Sequence, residues 1–416
     1  MKTIEKKHRL AFVLVTSLFL LWGLANNMTD TLLSAFKKIM SMSDTQTSLI
    51  QSAFYGAYFV IALPAALFIR RHSYKSGIIL GLSLYAGGAL LFLPAAKAAS
   101  YAFYLVAIYI MASGCSVLET TANPYIMSMG SPETATRRLN IAQAFNPIGS
   151  ILGILMSKVF ILEDISLLSV SGTYAALGVV LVFIMVAMLF ARMPDTSCDN
   201  DNDNAATHIA ATFRRLLGNR HYRRGVVAQF FYVGAQIGVW SFTIRIVMQE
   251  LGIAEAEAAT VYLFTIVGFC ASRFLYTWLM RFFRPVKLLL FGAVMSALCS
   301  LVVVLGAGMG WVMVAALMLI SFFMSLMFPT IYGIALGSLQ TQGLPGSQTY
   351  QNDVKIGASG LIMAILGGAL LTPLQAIVSD ATTIHLSFLV PMGCFLVVLC
   401  YAASERENGF DKLTNQ

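Results

Sequence analysis

The segment Pro194 to Arg224, PDTSCDNDNDNAATHIAATFRRLLGNRHYRR, is the longest polar interruption in the chain, and its position decides the fold. Six apolar stretches precede it and six follow, from Leu10–Phe36 at one end to Thr383–Ala402 at the other. Each approaches or exceeds the roughly 20 residues that a helix needs to cross a bilayer core. Of the 416 residues, 58% are hydrophobic and only 11% are charged. A soluble domain carries about a quarter charged residues, so soluble folds are excluded and an all-α integral membrane protein with 12 transmembrane helices is expected. Within the interruption, DTSCDNDNDNAATH reads as disordered, and RRLLGNRHYRR as a short amphipathic helix on the cytoplasmic surface.

The formal net charge is +8, yet the basic residues stand in short clusters between apolar runs. If both termini share one side, about 21 of the 27 Lys and Arg residues lie there, including Lys6, Lys7, Arg70, Arg71, Lys75, Arg137 and Arg138. Lys37, Lys38, Lys97 and Lys158 fall on the other side. Such a bias marks the cytoplasmic face, so the termini and the central loop are expected inside a bacterial inner membrane, with the bilayer and not nucleic acid as partner. The basic N-terminal residues precede an apolar run too long for a signal peptide, and the run is read as the first span. Six scattered cysteines form no CxxC pair and have no histidine at ligand spacing, so neither a disulfide framework nor a metal site is expected.

The two flanks echo each other. IRRHSYK (Ile69–Lys75) follows the second span and MRFFRPVK (Met280–Lys287) follows the eighth. The fourth span closes on NPYIMSMGS (Asn123–Ser131) and the tenth on FPTIYGIALGS (Phe328–Ser338). The organisation read from this is a six-helix half over residues 1–193, a cytoplasmic loop over 194–224 and a second six-helix half over 225–416. Pseudosymmetry of this kind puts a substrate cavity between the halves near the midplane.

Polar groups inside spans are costly, so they locate the chemistry. The first span carries Asn26, Asn27 and Asp30 at helical spacing. The fourth carries Glu119 with Asn123 one turn on, and the fifth, read as one helix over Leu139–Ile161, carries Gln143 with Asn146 three residues on. Carboxylates and amides aligned in this way suit a polyhydroxylated solute. Gln236 and Trp240 share a face of the seventh span, and Trp240 is the first choice for a ring that stacks on a sugar. Other span aromatics, among them Tyr58, Tyr232, Phe264, Phe328 and Tyr332, divide between packing and such stacking. Single amides such as Asn26, Gln229 and Gln236 also serve to join helices. Arg245 is expected to reach the outer surface. Arg273 is expected to steady a helix or gate by pairing with backbone carbonyls, which leaves a neutral substrate. Glycines in GASGLIMAILGGAL (Gly357–Leu370) permit close helix approach. No phosphate-binding loop or catalytic triad is present, so ATP-driven transport is unsupported and the expected protein is not an enzyme and takes no cofactor; the embedded carboxylates point instead to an ion or proton pathway.

On LWGLANNMTDTLL (Leu21–Leu33), LIQSAFYGAYFVIALPAA (Leu49–Ala66), LETTANPY (Leu118–Tyr125) and RLNIAQAFNPIGSILG (Arg138–Gly153), the chain resembles the fucose–galactose–glucose:proton symporters of the major facilitator superfamily. The likeness continues through QFFYVGAQIGVWSFTIR (Gln229–Arg245) and MFPTIYGIALGSL (Met327–Leu339) and covers nearly the whole chain. It implies the major facilitator fold and proton-coupled uptake of a neutral monosaccharide, L-fucose or a related sugar, by a transporter that works as a monomer. It also implies that Glu119 carries the proton, that Asp30 links sugar recognition to coupling, and that Asn27, Gln143 and Asn146 are amides of the same cavity. One departure is Phe328 before Pro329, where a tyrosine is the family's usual residue. Losing that hydroxyl leaves the identity of the sugar open. A drug/proton antiporter of the same fold and a non-transporting membrane sugar sensor are the competing readings.

Overall fold

A computed structural model describes residues 9–39, 44–157, 160, 166–191, 193, 205–339 and 348–407, and these are almost entirely helical. In chain order the first helices are α1 Arg9–Ile39, α2 Asp44–Arg71, α3 Tyr74–Leu90, α4 Phe92–Ala98, α5 Tyr101–Ser128 and α6 Ala135–Gln143. They are followed by α7 Asn146–Ser157, α8 Leu167–Phe190, α9 Ala205–Gly218, α10 Arg220–Leu251, α11 Glu255–Leu279 and α12 Pro285–Leu305. The last five are α13 Trp311–Met324, α14 Met327–Gly337, α15 Gln348–Met363, α16 Leu366–Ala381 and α17 Leu389–Glu407. Among the described residues, 11 helical stretches are long and apolar enough to cross a membrane. The first expected span coincides with α1, of which Leu10–Leu24 is an apolar stretch. The N-terminal residues, the acidic run 194–204 and most of the loop after α7 lie outside the described residues.

Four spans that the sequence presents as continuous are broken, among them the third, which divides into α3 and α4 at Leu91. The fifth divides into α6 and α7 at Ala144–Phe145, the tenth into α13 and α14 at Ser325–Leu326, and the eleventh into α15 and α16 at Ala364–Ile365. Proline accounts for the breaks in the fifth and tenth, since Pro147 and Pro329 lack the N–H that would continue the ladder and sit in the opening turn of the second segment. Hydropathy does not register a lost hydrogen bond. The basic stretch RRLLGNRHYRR is also divided: α9 ends at Gly218, and Asn219 caps α10 by accepting from the Tyr222 amide at 3.1 Å. The asparagine competes for backbone donors and so ends one helix and starts the next, with the second basic cluster in the first turn of α10.

Packing divides the molecule into two units. The first takes the described residues within 1–130, 148–215 and 343–363, and the second those within 131–147, 216–342 and 364–416. Two helical spans therefore change unit at their breaks: α6 packs in the second unit and its continuation α7 mainly in the first, while α15 packs in the first and its continuation α16 in the second.

In the first unit, α5 packs closely on α3 because Gly88 lies against the Met111 backbone and Gly114 against the Tyr85 backbone. Gly149 of α7 meets the Leu20 carbonyl of α1, with no room for a side chain. Lys75 donates to the carbonyls of Leu189 and Ala191 at 2.8 and 2.9 Å, satisfying the end of α8. Arg215 of α9 forms a bidentate pair with Asp353 of α15 at 2.7 and 2.8 Å, and this pairing holds the guanidinium above its ordinary range.

In the second unit, Gly367 of α16 meets the Phe230 carbonyl of α10 as Gly149 meets Leu20, so the glycines of the eleventh span do permit close approach. Glu250 accepts from the amides of Gly308 and Gly310 and lies 3.1 Å from His385, tying three segments together at one end of the unit. At the other end His221 lies 2.9 Å from the fully buried Glu405 carboxyl.

Candidate functional site

The continuous helix α5 holds Cys115, Glu119 and Asn123 at four-residue intervals on one buried stripe. Glu119 is 7% exposed, and its Oε2 has no hydrogen-bond partner among the described residues. Tyr58 of α2 and Cys115 lie within electrostatic reach of it. The Tyr58 hydroxyl is itself fixed, accepting from Trp22 Nε1 at 2.9 Å, and Phe19 stacks on the Trp22 ring. With no cation beside it among the described residues, a carboxyl held in this way is far cheaper to enclose neutral than charged, so it is suited to take and release a proton. Asn123 is fully buried one turn further on.

Asn26, Asn27 and Asp30 belong to α1 by backbone, and their side chains lie outside the described residues. Gln143 and Asn146 do not share a helical stripe as expected, because the break at Ala144–Phe145 puts them on α6 and α7; both still belong to the second unit. Gln143 is 4% exposed and Asn146 half-buried.

The second unit gathers the rings. Trp240 of α10 donates from Nε1 to Ser321 Oγ at 3.2 Å and stands edge-on to Phe269 of α11, with ring centroids 5.1 Å apart. Phe328 lies between Tyr232 and Tyr332, 6.4 Å from each ring and nearly parallel to the second. Trp240 and Phe328 are both half-buried, and so is Gln236 one turn before Trp240. Gln229 of α10 is fully buried, and neither its Oε1 nor its Nε2 has a partner among the described residues. Gln375 of α16 is buried too, its Oε1 packed against the flat face of α10 at Gly238. Phe264, by contrast, is 60% exposed on α11 and lies apart from these rings.

The two embedded arginines behave differently. Arg245 is exposed, rests over the Phe242 ring at 5.3 Å and lines an open surface cavity of about 660 Å³ with Gln249 and Asp380. Arg273 is 3% exposed, lies over the Phe269 ring at 4.7 Å, and pairs with backbone carbonyls as expected, donating to Ser325 at 2.7 Å and Gln143 at 3.1 Å.

Sequence reasoning passed over Phe269, Ser321 and Gln375, and it left Tyr58 and Trp22 among general aromatics or unmentioned. Gln375, a lone amide in an apolar span, carried the same signal as Gln229. Nothing local marks Phe269 or Trp22, which become relevant only through the side chains packed on them. Among the described residues no three His, Cys, Asp or Glu side chains gather at metal-binding distance. The first unit holds a buried carboxyl, and the second, by itself, holds amides, hydroxyls and half-buried rings.

A family profile described as Major Facilitator Superfamily matches residues 12–349. The L-fucose-proton symporter of Haemophilus influenzae is 39% identical, over 96% of this chain and 97% of that protein. The L-fucose-proton symporter of Escherichia coli K12 is 35% identical over 96% and 93%, and the glucose/galactose transporter of Brucella abortus 33% identical over 95% and 94%. Among solved structures, FucP, a Major Facilitator Superfamily transporter in the outward conformation, aligns with a TM-score of 0.84 at 35% identity, covering 96% of this chain and 99% of that one.

Proposed function

This chain belongs to the Major Facilitator Superfamily, and we propose from that premise that it takes up a neutral monosaccharide, L-fucose or a closely related hexose, together with a proton. It is a transporter and not an enzyme. The observation that carries the coupled reading is Glu119, a buried carboxyl with Oε2 unpartnered among the described residues.

In this reading Glu119 takes a proton from the outer side. Its neutral form removes the cost of enclosing a bare carboxylate, which allows the loaded transporter to reorganise and release proton and sugar inside. Asp30 of α1 links the sugar to that step. Asn27, Asn123, Gln143, Asn146 and Gln236 supply donors and acceptors for hydroxyl groups. The rings of Trp240 and Phe328 take the C–H face of the sugar. No cofactor takes part. A neutral sugar with one proton carries a single positive charge inward, so each 100 mV of membrane potential contributes about 2.3 kcal/mol.

The bias of Lys and Arg to one face supports termini and central loop in the cytoplasm of a bacterial inner membrane. The repeated turns support a pair of pseudosymmetric halves at 1–193 and 225–416, in a transporter acting as a monomer in the bilayer.

The test is a panel of sugars added to de-energised cells or vesicles at weak buffering. A symporter makes the outside alkaline when its sugar is supplied, with L-fucose, D-galactose and D-glucose as the first candidates. A drug antiporter acidifies the outside with a cationic drug and ignores the sugars, and a sensor gives no proton signal at all.

A further inference from the structure

Arg273 meets two carbonyls that have one thing in common. In an α-helix the carbonyl of residue i is taken by the amide of residue i+4. For Gln143 that residue is Pro147 and for Ser325 it is Pro329, and proline has no N–H to give. The two carbonyls left over by the two prolines are the two that the Arg273 guanidinium takes, Nη1 to Gln143 at 3.1 Å and Nε to Ser325 at 2.7 Å. The neighbouring Ser272 serves the same break, donating to the Phe322 carbonyl at 2.5 Å and lying 3.0 Å from Ser325 Oγ. A planar, forked cation can reach both acceptors at once, which a lysine ammonium on a flexible stem does less well. All of these groups lie in the second unit.

The consequence reaches the sugar. Gln143 ends α6 and Phe328 sits in the first turn of α14, so each stands at the break whose carbonyl Arg273 holds. We propose that Arg273 is a positioning residue for the substrate: by holding the two proline-orphaned carbonyls together it sets where the Gln143 amide and the Phe328 ring stand. This rests on the reading of those two side chains as sugar contacts. A proline-broken helix is otherwise free to bend at the lost bond, and a bend there displaces the side chain next to it. A shift of about 1 Å at a binding group is enough to lower transport by around a hundredfold.

The experiment uses the full-length transporter in proteoliposomes, with sugar exchange at equal concentration on both sides and the sugar identified by the proton assay. Arg273→Met should raise the half-saturating sugar concentration by about tenfold, with a much smaller change in maximal exchange rate per folded molecule. Restoring the missing donors is the discriminating step. Arg273→Met combined with Pro147→Ala and Pro329→Ala should recover most of the affinity, because each alanine returns an N–H to the orphaned carbonyl. Arg273→Lys should be intermediate. Equal penalties for Arg273→Met with and without the prolines would overturn the proposal, as would unchanged half-saturation in Arg273→Met. If Arg273→Met does not fold, the lysine variant with and without the alanines carries the same comparison, and lack of recovery there overturns it too. Failure of the wild type to exchange any sugar would instead be a failure of the functional reading. The carbonyl assignment would then still be tested by thermal melting of the same variants, where Arg273→Met should lower the midpoint by about 5 °C and the alanines should restore it.

Discussion

Replacing Glu119 by Gln should separate sugar movement from proton coupling. Glu119 lies on the stripe of α5 that packs against α2 and α3, and it is 7% exposed with Oε2 unpartnered among the described residues. Glutamine has the same shape, so it fits without a cavity and stays neutral at every pH. The variant should fold, bind and exchange sugar. It should not concentrate it. With an imposed potential of about 100 mV and one unit of pH difference, one coupled proton supplies about 2.3 plus about 1.4 kcal/mol. A sum near 3.7 kcal/mol sustains an accumulation of roughly 500-fold at equilibrium, whereas an uncoupled carrier of a neutral solute sustains none. The assay is paired: radiolabelled uptake into proteoliposomes under the imposed gradients, and counterflow with no gradient. Wild type should show both. Glu119→Gln should show counterflow within a few-fold of wild type and an accumulation ratio of about one. Accumulation by Glu119→Gln well above unity, with alkalinisation outside, would refute the role given to this carboxyl.

Other perturbations test the framework around the site. Tyr58→Phe removes the acceptor of the buried Trp22 N–H, which should cost about 1–3 kcal/mol and lower the melting temperature in detergent; an unchanged midpoint would mean that the bond contributes nothing. Gly149→Ala and Gly367→Ala each drive a methyl into a carbonyl of the facing helix, at Leu20 and Phe230. Either should destabilise by about 1–3 kcal/mol, and full retention of stability would show that the helices can part without penalty. Asp353→Asn breaks the bidentate pair with Arg215, which is partly exposed, so a loss near 1 kcal/mol is expected. Proteolysis of the central segment around α9 should accelerate in that variant, and an unaltered cleavage rate would count against the pair as its tether.

Much of the site was legible because a carboxylate inside an apolar run is conspicuous by its cost alone. Glu119 and Asp30 needed no neighbours to be singled out, and the four-residue spacing of Glu119 and Asn123 survives on a continuous α5. The spacing of Gln143 and Asn146 does not survive, since the break between them ends the helical register on which the inference rested. The carbonyl partners of Arg273 were anticipated as a class. Their identity was not, because Gln143 and Ser325 are 130 and 52 residues away and only packing brings them to one guanidinium.

By itself the sequence determined the solvent and the approximate number of spans, and it set the expectation of a six-and-six division with the cations on one face. Each of these follows from transfer free energies that are nearly additive along the chain and need no knowledge of what a residue touches. Only the tertiary structure decided where the spans break, that α7 and α15 pack in one unit while α6 and α16 pack in the other, and which groups stand around Glu119 and Arg273. Those outcomes depend on hydrogen bonds and close contacts between distant segments. In a membrane the apolar pattern is satisfied by lipid and protein alike, so hydropathy cannot say which faces meet. Glycine, proline and a few buried polar groups make that choice, and they do so through partners that the chain brings together only once it is folded.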